Sequence, residues 1–237
     1  AKIIELEEKN NWAKIRLTLN QNYDYDDSWE KAIKLFENRI NRKFFNPVEL
    51  IIAGKALKGE GFTIVTVQCA LIEMFAAFRT GKIFNHNRSS SSPKYEYDKS
   101  QQMFTSLLRS AKIFKDNFWE LNQKNKHVID KPFSAKEFYT NVRCGLMHEA
   151  RTKGNWHITA TPSNKSVKTE KHFLVLEDGK IKIYRTVLHH KLTEYMIDYL
   201  NELREINNDG KELRKFFARK LDNLFDYQPD SKFNWWN

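Results

Sequence analysis

Apolar residues recur every three or four positions along much of the chain, a spacing that is typical of amphipathic helices. One such stripe begins near Asp27-Ser28 and predicts a helix that ends before Pro47, because proline interrupts a helix interior. Its apolar positions are Trp29, Ile33, Phe36, Ile40 and Phe44. Another helix is predicted from about Lys99 to Trp119, with an apolar stripe made of Met103, Leu107, Ala111, Phe114 and Phe118.

The most apolar segment runs from Gly61 to Gly81 and is hydrophobic around most of its circumference. This pattern predicts a central helix that is buried on nearly all sides. Its length, and its interruption by Gln68 and Glu73, argue against a membrane-spanning helix.

A narrow polar stripe on this helix consists of Thr66, Cys69 and Glu73. A largely buried carboxylate is costly unless another group compensates its charge. The partner of Glu73 is expected to be Arg143 or His148 on the neighbouring helix or, alternatively, a structural Lys or Tyr.

The helix predicted after the one from Lys99 to Trp119 carries the residues of greatest chemical interest. Ser134 and Glu137 predict a capping box at its start. Its core-facing stripe is predicted to contain Ala135, Tyr139, Val142, Leu146 and Ala150. At about 100° per residue, Arg143 and His148 lie about 140° apart and flank the face that points away from the core.

That outward face carries Thr140, Cys144 and Met147. Small and apolar residues on an outward face favour a protein partner over water. The pattern therefore predicts a two-fold contact between identical helices, which would place two Arg143/His148 pairs around one shared cleft.

The hydrophobic period changes after Gly154. Alternating apolar residues within 156–160, 173–175 and 181–183 predict a small antiparallel sheet with a tight turn near Asp178-Gly179. Two helices are predicted to close the chain, the second beginning with an Asp209/Glu212 capping box. The basic face of that last helix is interpreted as solvated, with a nucleic-acid contact as the alternative. It consists of Lys211, Arg214, Lys215 and Arg219.

These elements predict a mainly α fold. A helical bundle is expected over residues 1–153, the small antiparallel sheet over 154–186, and two helices that pack on the bundle over 187–237, as one compact domain. Residues 82–98, with Ser89 to Ser92 in succession, are predicted to be a flexible loop.

The charge of the chain favours a polyanionic partner. Its 237 residues include 40 Lys and Arg against 30 Asp and Glu, for a formal net charge of +10. Nucleic acid is preferred over a membrane surface, because no basic amphipathic stretch carries exposed Trp or Phe. The two cysteines resemble packed thiols of a reducing compartment, and no signal-peptide pattern is visible, so a cytoplasmic location is expected.

Neither a cofactor nor a metal is expected from the motifs. Gly59-Glu60-Gly61 lacks the lysine and strand context of a phosphate loop. His148-Glu149 is not followed by the second histidine of a zinc protease, since position 152 is Thr. Adjacent His189 and His190 point to different sides of a helix and form a poor metal pair.

Arg143 and His148 supply the two groups that phosphodiester cleavage without a metal requires. A guanidinium can hold developing phosphate charge in a bidentate manner, and an imidazole can move a proton near neutral pH. The alternative is structural: a solvated helix arginine, and a histidine that the helix dipole favours near a C-terminus.

The stretch Asn141-Val142-Arg143-Cys144-Gly145-Leu146-Met147-His148-Glu149 resembles the HEPN superfamily. The members of this superfamily are four-helix bundles whose last helix carries Arg, four to six residues, and then His. The resemblance covers roughly residues 28–153. It implies a metal-independent endoribonuclease that acts as a homodimer, commonly in phage defence or with an antitoxin or other defence-system partner protein.

The resemblance implies that Arg143 and His148 are the catalytic pair and that Glu73, as a polar residue on the second bundle helix, supports them. Arg151, Lys153 and Trp156 follow closely and could hold the RNA backbone and stack a base, although a helix end that enters a strand is the plainer interpretation. Cys144 departs from the polar residue that often follows the arginine in active members. A non-catalytic HEPN module that binds RNA or a partner protein is therefore the alternative.

Overall fold

The computed structural model describes residues 2–23, 27–54, 59–118, 133–233 and 235–237. It is mainly helical, with small sheets of two and three strands, which confirms the predicted mainly α class. The longer elements are α1 (Lys2–Ile15), α2 (Asp27–Ile40), α3 (Asn46–Gly54), α4 (Glu60–Thr80), β1 (Ile83–Phe84), β2 (Glu96–Tyr97), α5 (Ser100–Ser110), α6 (Ala135–Phe138), α7 (Cys144–Glu149), β3 (Trp156–Thr159), β4 (Leu174–Glu177), β5 (Lys180–Tyr184), α8 (Arg185–Glu202) and α9 (Asn208–Leu224).

The chain forms two compact units. The terminal unit comprises Ala1–Lys43, Ala77–Asp98 and Met196–Asn237, and the central unit comprises Phe44–Ala76 and Lys99–Tyr195. Each unit joins segments that are distant in sequence. The predicted borders near residues 153 and 186 both fall inside the central unit, and the predicted domain division itself stays a prediction.

The terminal unit is built around an aromatic core and a buried carboxylate. The ring of Phe36 lies 4.7 Å from that of Phe78 and 5.4 Å from that of Phe217. Asp222 is buried and accepts hydrogen bonds from Trp12 of α1 and from Arg16, the residue that follows this helix. The sequence interpretation missed α1, because its apolar stripe is weak and its fixed position comes from these long-range polar contacts.

The expectation of a solvated basic face on α9 is wrong for two of its four residues. Arg214 is fully buried and donates to the backbone carbonyls of Leu203 and Glu205, at 2.7 Å in each case. Arg219 is 7% exposed and donates to the carbonyls of Trp236 and Gly81. These guanidinium groups donate to backbone carbonyls, a pairing that a charge pattern does not reveal.

The helix that begins at Asp27 ends before Pro47, as the sequence predicted, because α2 closes at Ile40, but helical structure resumes directly after it. A π-helical turn, Asn41–Phe45, leads directly from α2 into α3, whose second residue is Pro47. Proline is tolerated in the first turn of a helix, because its missing N–H is not needed there. The π turn supplies the local break that lets helical structure resume at that point.

The most apolar helix of the central unit is α4. With 21 residues, α4 is long and apolar enough to cross a membrane, so the prediction that its length excludes a membrane span is wrong. A single such helix is nevertheless weak evidence for a span. About half of its most apolar window, 56%, is buried inside the protein. Thr63 and Ala70 are exposed, so α4 is not buried on nearly all sides.

An aromatic cluster fills the rest of the central unit. Its members, which lie within about 6 Å of a neighbour, are Phe104, Phe114, Phe118, Phe133, Phe138, Trp156 and Phe173. The buried amide oxygen of Asn117 accepts from the backbone N–H of Phe173 at 2.9 Å and so fixes the start of β4 against this cluster. The predicted helix from Lys99 is shorter than expected: α5 ends at Ser110, and Trp119 lies outside the described residues.

The three-stranded sheet is mixed, not antiparallel as predicted. Its order is β3-β5-β4, with β3 and β5 parallel and β4 and β5 antiparallel. The antiparallel pair has the predicted tight turn, since Asp178 and Gly179 both have positive φ, at 51° and 71°. Alternating residues identify strands but not their direction, which the long connection 160–173 sets.

Two smaller expectations are also corrected. Residues 82–98 contain a pair of short strands, β1 and β2, whereas the sequence predicted only a flexible loop. The N-cap of α9 is Asn207, whose side chain accepts from the N–H of Gly210 at 2.8 Å, and not the predicted Asp209.

Candidate active site on the Arg143–His148 helix

The predicted capping box starts the helical segment that carries Arg143 and His148. Ser134 accepts from the N–H of Glu137 at 3.1 Å, and the Glu137 carboxylate accepts from the N–H of Ser134 at 2.8 Å. The segment then passes from α6 through a π-helical turn, Tyr139–Arg143, into α7. Arg143 is therefore the last residue of a wide turn, a form of helix that is frequent at functional sites.

The π turn changes which residues face the core. Ala135, Val142 and Leu146 are buried as the predicted stripe requires, whereas Tyr139 is half-buried and Ala150 is exposed. An added residue in the turn shifts the positions around it relative to an ideal α-helix. Tyr139 consequently leaves the core and lies beside Arg143, with its ring centre 5.4 Å from the guanidinium carbon.

The chain folds back on α7 immediately after His148. Ala150 takes the left-handed conformation, with φ of 52°, and ends the helix. The N–H of Arg151 then donates to the carbonyl of Gly145 at 3.3 Å, and the N–H of Lys153 donates to the carbonyl of Asn141 at 2.9 Å. We call residues 150–153 the return segment.

Gly145 makes this return possible. A Cβ at position 145 would lie 2.4 Å from the carbonyl oxygen of Arg151, closer than any side chain allows. Glycine inside a helix costs stability, so its presence here marks the close approach of another backbone segment.

Glu73 and Arg143 form an ion pair within the central unit. The guanidinium Nη2 of Arg143 donates to Glu73 Oε2 at 3.1 Å. The side chains are 19% and 20% exposed, respectively, so the pair lies near the surface without being fully solvated. Among the partners that the sequence allowed for Glu73, it is Arg143 that pairs with it in the structure.

The surroundings of this pair affect three pKa values. Burial opposes the charge on Arg143 most strongly, but the carboxylate of Glu73 and the neighbouring Tyr139 outweigh it, and the pKa of Arg143 is raised. Burial is the main cause that raises the pKa of Tyr139, with Arg143 opposing it. Burial also raises the pKa of Cys69 to about 12, so this thiol stays protonated and unreactive.

The remaining predicted residues of the helix lie at the surface. His148 and Thr140 are exposed, Met147 is 53% exposed, and Cys144 is partly exposed. The imidazole of His148 is therefore accessible to a large substrate, and the outward face retains the apolar Met147 that a partner could cover.

The residues predicted to bind RNA divide into two groups. Arg151 is exposed and Lys153 is partly exposed, and the carboxylate of Glu149 accepts from both, at 2.9 Å and 2.5 Å. Trp156 is only 3% exposed and packs between Phe133 and Phe138. Its indole has no free face on which a base could stack, and Trp156 is the first residue of β3, which agrees with the plainer interpretation of a helix end that enters a strand.

The sequence pattern assigned Tyr139 to the core and gave no role in the site to Gly145 or Glu149, but all three shape the site. The spacing of Glu149 and Lys153 could have indicated their ion pair, since i, i+4 Glu–Lys pairs are favourable. The glycine inside the helix was a second usable signal. The π turn that exposes Tyr139 left no signal in the residue pattern.

Within the described residues, no group of three or more His, Cys, Asp or Glu side chains is arranged to hold a metal ion.

Comparison with known proteins gives no match: no protein-family model fits the chain, and neither a curated protein nor a solved structure is significantly similar to it. The likeness to the HEPN superfamily consequently depends on the residues quoted for it above.

Proposed function

We propose that this protein is a metal-independent endoribonuclease of the HEPN type, with Arg143 and His148 as its catalytic pair and Glu73 as a supporting residue. The observation that carries the proposal is the ion pair of Arg143 with Glu73, beside an exposed His148 on the same helical segment. A half-buried carboxylate that fixes a guanidinium prepares it to receive another anion.

The proposed reaction is transesterification within the RNA chain. His148 accepts the proton of a 2′-OH, whose oxygen forms a bond to the adjacent phosphorus, and the bond from phosphorus to the 5′-oxygen breaks. The leaving 5′-oxygen receives a proton from the imidazolium of His148. The products are a 2′,3′-cyclic phosphate and a 5′-OH, and the sequence of proton transfers needs no oxidant and no metal.

Arg143 is assigned to the phosphate. A guanidinium carries five N–H donors, and the contact to Glu73 engages Nη2. The other nitrogens can donate to phosphate oxygens as negative charge develops on them. Glu73 is then a positioning residue, which orients the guanidinium without touching the substrate.

A second copy of the chain is part of this proposal. Thr140 and Met147 are exposed and Cys144 is partly exposed on the helical segment that carries Arg143 and His148. A two-fold contact there would bring two Arg143/His148 pairs around one cleft. We expect a homodimer, RNA as the substrate, and a role in phage defence or with an antitoxin-like partner protein.

The test uses RNA incubated with the protein in EDTA. We expect the unaltered protein to cut the RNA and the His148→Ala variant to leave it intact. His157→Ala is the matched control, because His157 is another exposed histidine of the central unit and should retain activity. Cutting by His148→Ala at the normal rate, with His157→Ala equally active, would contradict the assignment.

The second candidate is a non-catalytic module that binds RNA or a partner protein. One observation favours it: the cations near the site are already paired, Arg143 with Glu73, and Arg151 and Lys153 with Glu149. An RNA mobility shift without any new ends in EDTA would support this module, whereas cyclic-phosphate ends that depend on His148 would support the enzyme.

A further inference from the structure

A cleft in the terminal unit lies outside the Arg143–His148 site. It has a volume of about 300 Å³ and opens between the β2 region and the end of α9. Small-molecule sites begin at about this size, so the cleft suits a ligand such as a nucleoside. The lining residues on which the argument depends are Tyr95, Arg219, Asp222, Asn223, Asp226 and Tyr227.

The floor of the cleft offers a hydrogen-bond donor. Arg219 is 7% exposed, its Nε donates to the carbonyl of Trp236 at 2.7 Å, and its Nη1 donates to the carbonyl of Gly81 at 3.3 Å. Within the described part of the chain, neither of these contacts uses the third nitrogen, Nη2. Because Arg219 lines the cleft, the donor capacity left on its guanidinium favours a ligand that accepts hydrogen bonds.

The neighbouring carboxylate on the floor is already fully used. Asp222 accepts from Trp12 at 2.8 Å, from Arg16 at 2.8 and 2.7 Å, and from Trp236 at 3.0 Å. Since it has four donors of its own, it does not compete for Arg219. The charge on Arg219 is therefore available to the cleft.

The walls and rim add two further features. The ring centre of Tyr95 lies 4.6 Å from the guanidinium carbon of Arg219, which gives the donor a flat aromatic neighbour. At the rim, the Asp226 side chain is 89% exposed, and its ion pair with Lys9 is long, at 3.9 Å. The rim thus presents a carboxylate that can accept hydrogen bonds from a ligand.

We propose that this cleft binds a guanine base, as a nucleoside or as an unpaired residue of a single-stranded RNA. Guanine has acceptors, O6 and N7, on one edge, and N–H donors on the neighbouring edge. The acceptors match Arg219, the donors match Asp226, and the flat base matches Tyr95. Adenine presents an amino donor where guanine has O6, and a free phosphate would meet the carboxylates of Asp226 and Asp222.

The proposal is independent of the ribonuclease assignment, and its test avoids RNA cleavage. Calorimetric titrations would use guanosine, adenosine, inorganic phosphate, and a short 2′-O-methylated RNA that contains one guanosine. We expect guanosine, the RNA or both to bind, at least tenfold more tightly than adenosine. Asp226→Asn should weaken this binding roughly tenfold, and Asp198→Asn, at an exposed acid away from the cleft, should not.

The Asp226→Asn variant is chosen because it should fold. Asp226 has a positive φ of 60°, a conformation that asparagine tolerates well. Equal binding of adenosine and guanosine would overturn the proposal, as would displacement of guanosine by phosphate alone. Failure of both guanosine and the RNA to bind at millimolar concentration would also overturn it.

Discussion

Replacing Gly145 by alanine sets two physical effects of opposite sign against each other. Alanine is the better helix former by about 1 kcal/mol, so helix propensity alone predicts that Gly145→Ala stabilises the protein. The return segment predicts the contrary, because the new Cβ would meet the carbonyl oxygen of Arg151 at 2.4 Å.

The size of the structural effect follows from this distance. Ordinary van der Waals contact begins at 3.4 Å, so the two segments must separate by as much as 1.0 Å, the difference between 3.4 and 2.4. If they stay together, crowding costs about 1–3 kcal/mol. If they separate, the hydrogen bonds from Arg151 to Gly145 and from Lys153 to Asn141 are lost, at about 1 kcal/mol each.

Either route costs about 2 kcal/mol, which exceeds the gain in propensity. We therefore expect Gly145→Ala to lower the free energy of unfolding by about 1 kcal/mol, which corresponds to a fall in Tm of about 2–4 °C for a chain of this size. The matched control is Gly54→Ala at the end of α3, where an added Cβ meets no atom of the described residues within 4 Å. That variant should be neutral or slightly stabilised.

Urea unfolding followed by far-UV circular dichroism measures both variants under the same conditions. We expect a lower free energy of unfolding for Gly145→Ala than for Gly54→Ala. If Gly145→Ala proves as stable as the unaltered protein or more so, the return segment does not pack on α7 as described.

The remaining predictions concern the central unit, the terminal unit and the cations of the return segment. Burial is the main cause that lowers the pKa of His189 in the folded protein, with Glu49 opposing it, so the unfolded chain takes up this proton first as the pH falls. The contribution of His189 to the free energy of unfolding is thus complete above its unfolded pKa of about 6.5 and is lost as the pH falls below it. Measured from about pH 8 to pH 5, the free energy of unfolding should therefore fall less in His189→Leu than in the unaltered protein. Arg214→Met should lower the free energy of unfolding by about 2–4 kcal/mol, because it removes the donor from the carbonyls of Leu203 and Glu205, whereas Lys215→Met should change it by less than about 0.5 kcal/mol. A loss in Arg214→Met no greater than in Lys215→Met would contradict this account of α9. Glu149→Gln frees Arg151 and Lys153, so single-stranded RNA should bind more tightly. The slope of log affinity against log salt concentration should become steeper by up to about 1.4, at about 0.7 for each cation. An unchanged affinity would show that the return segment is not part of the RNA site.

The sequence predicted features that depend on local spacing. The Ser134/Glu137 capping box, the turn at Asp178-Gly179 and the mainly helical class are all present in the structure. Each depends on residues within a few positions of one another, where side-chain chemistry directly restricts the backbone.

Features that depend on distant partners were not predictable in the same way. The burial of Arg214 depends on carbonyls that become available only where other segments end, and the parallel pairing of β3 with β5 depends on the connection between them. Within the candidate site, the partner of Glu73 could be narrowed to a few residue types, since a half-buried carboxylate requires one. The half-buried position of Tyr139 was not predicted, because the π turn decides it, and the aromatic cluster decides that Trp156 packs inside instead of binding RNA.

The central claim is that Arg143 and His148 cleave RNA without a metal, and the chemical nature of the new RNA ends tests it most directly. An RNA cut in EDTA should carry 2′,3′-cyclic phosphate and 5′-OH ends, and the same RNA with 2′-O-methyl groups should stay intact, because the attacking hydroxyl is blocked. Both Arg143→Ala and His148→Ala should abolish these ends. Cutting of the methylated RNA, or 5′-phosphate ends that persist in either variant, would contradict the assignment.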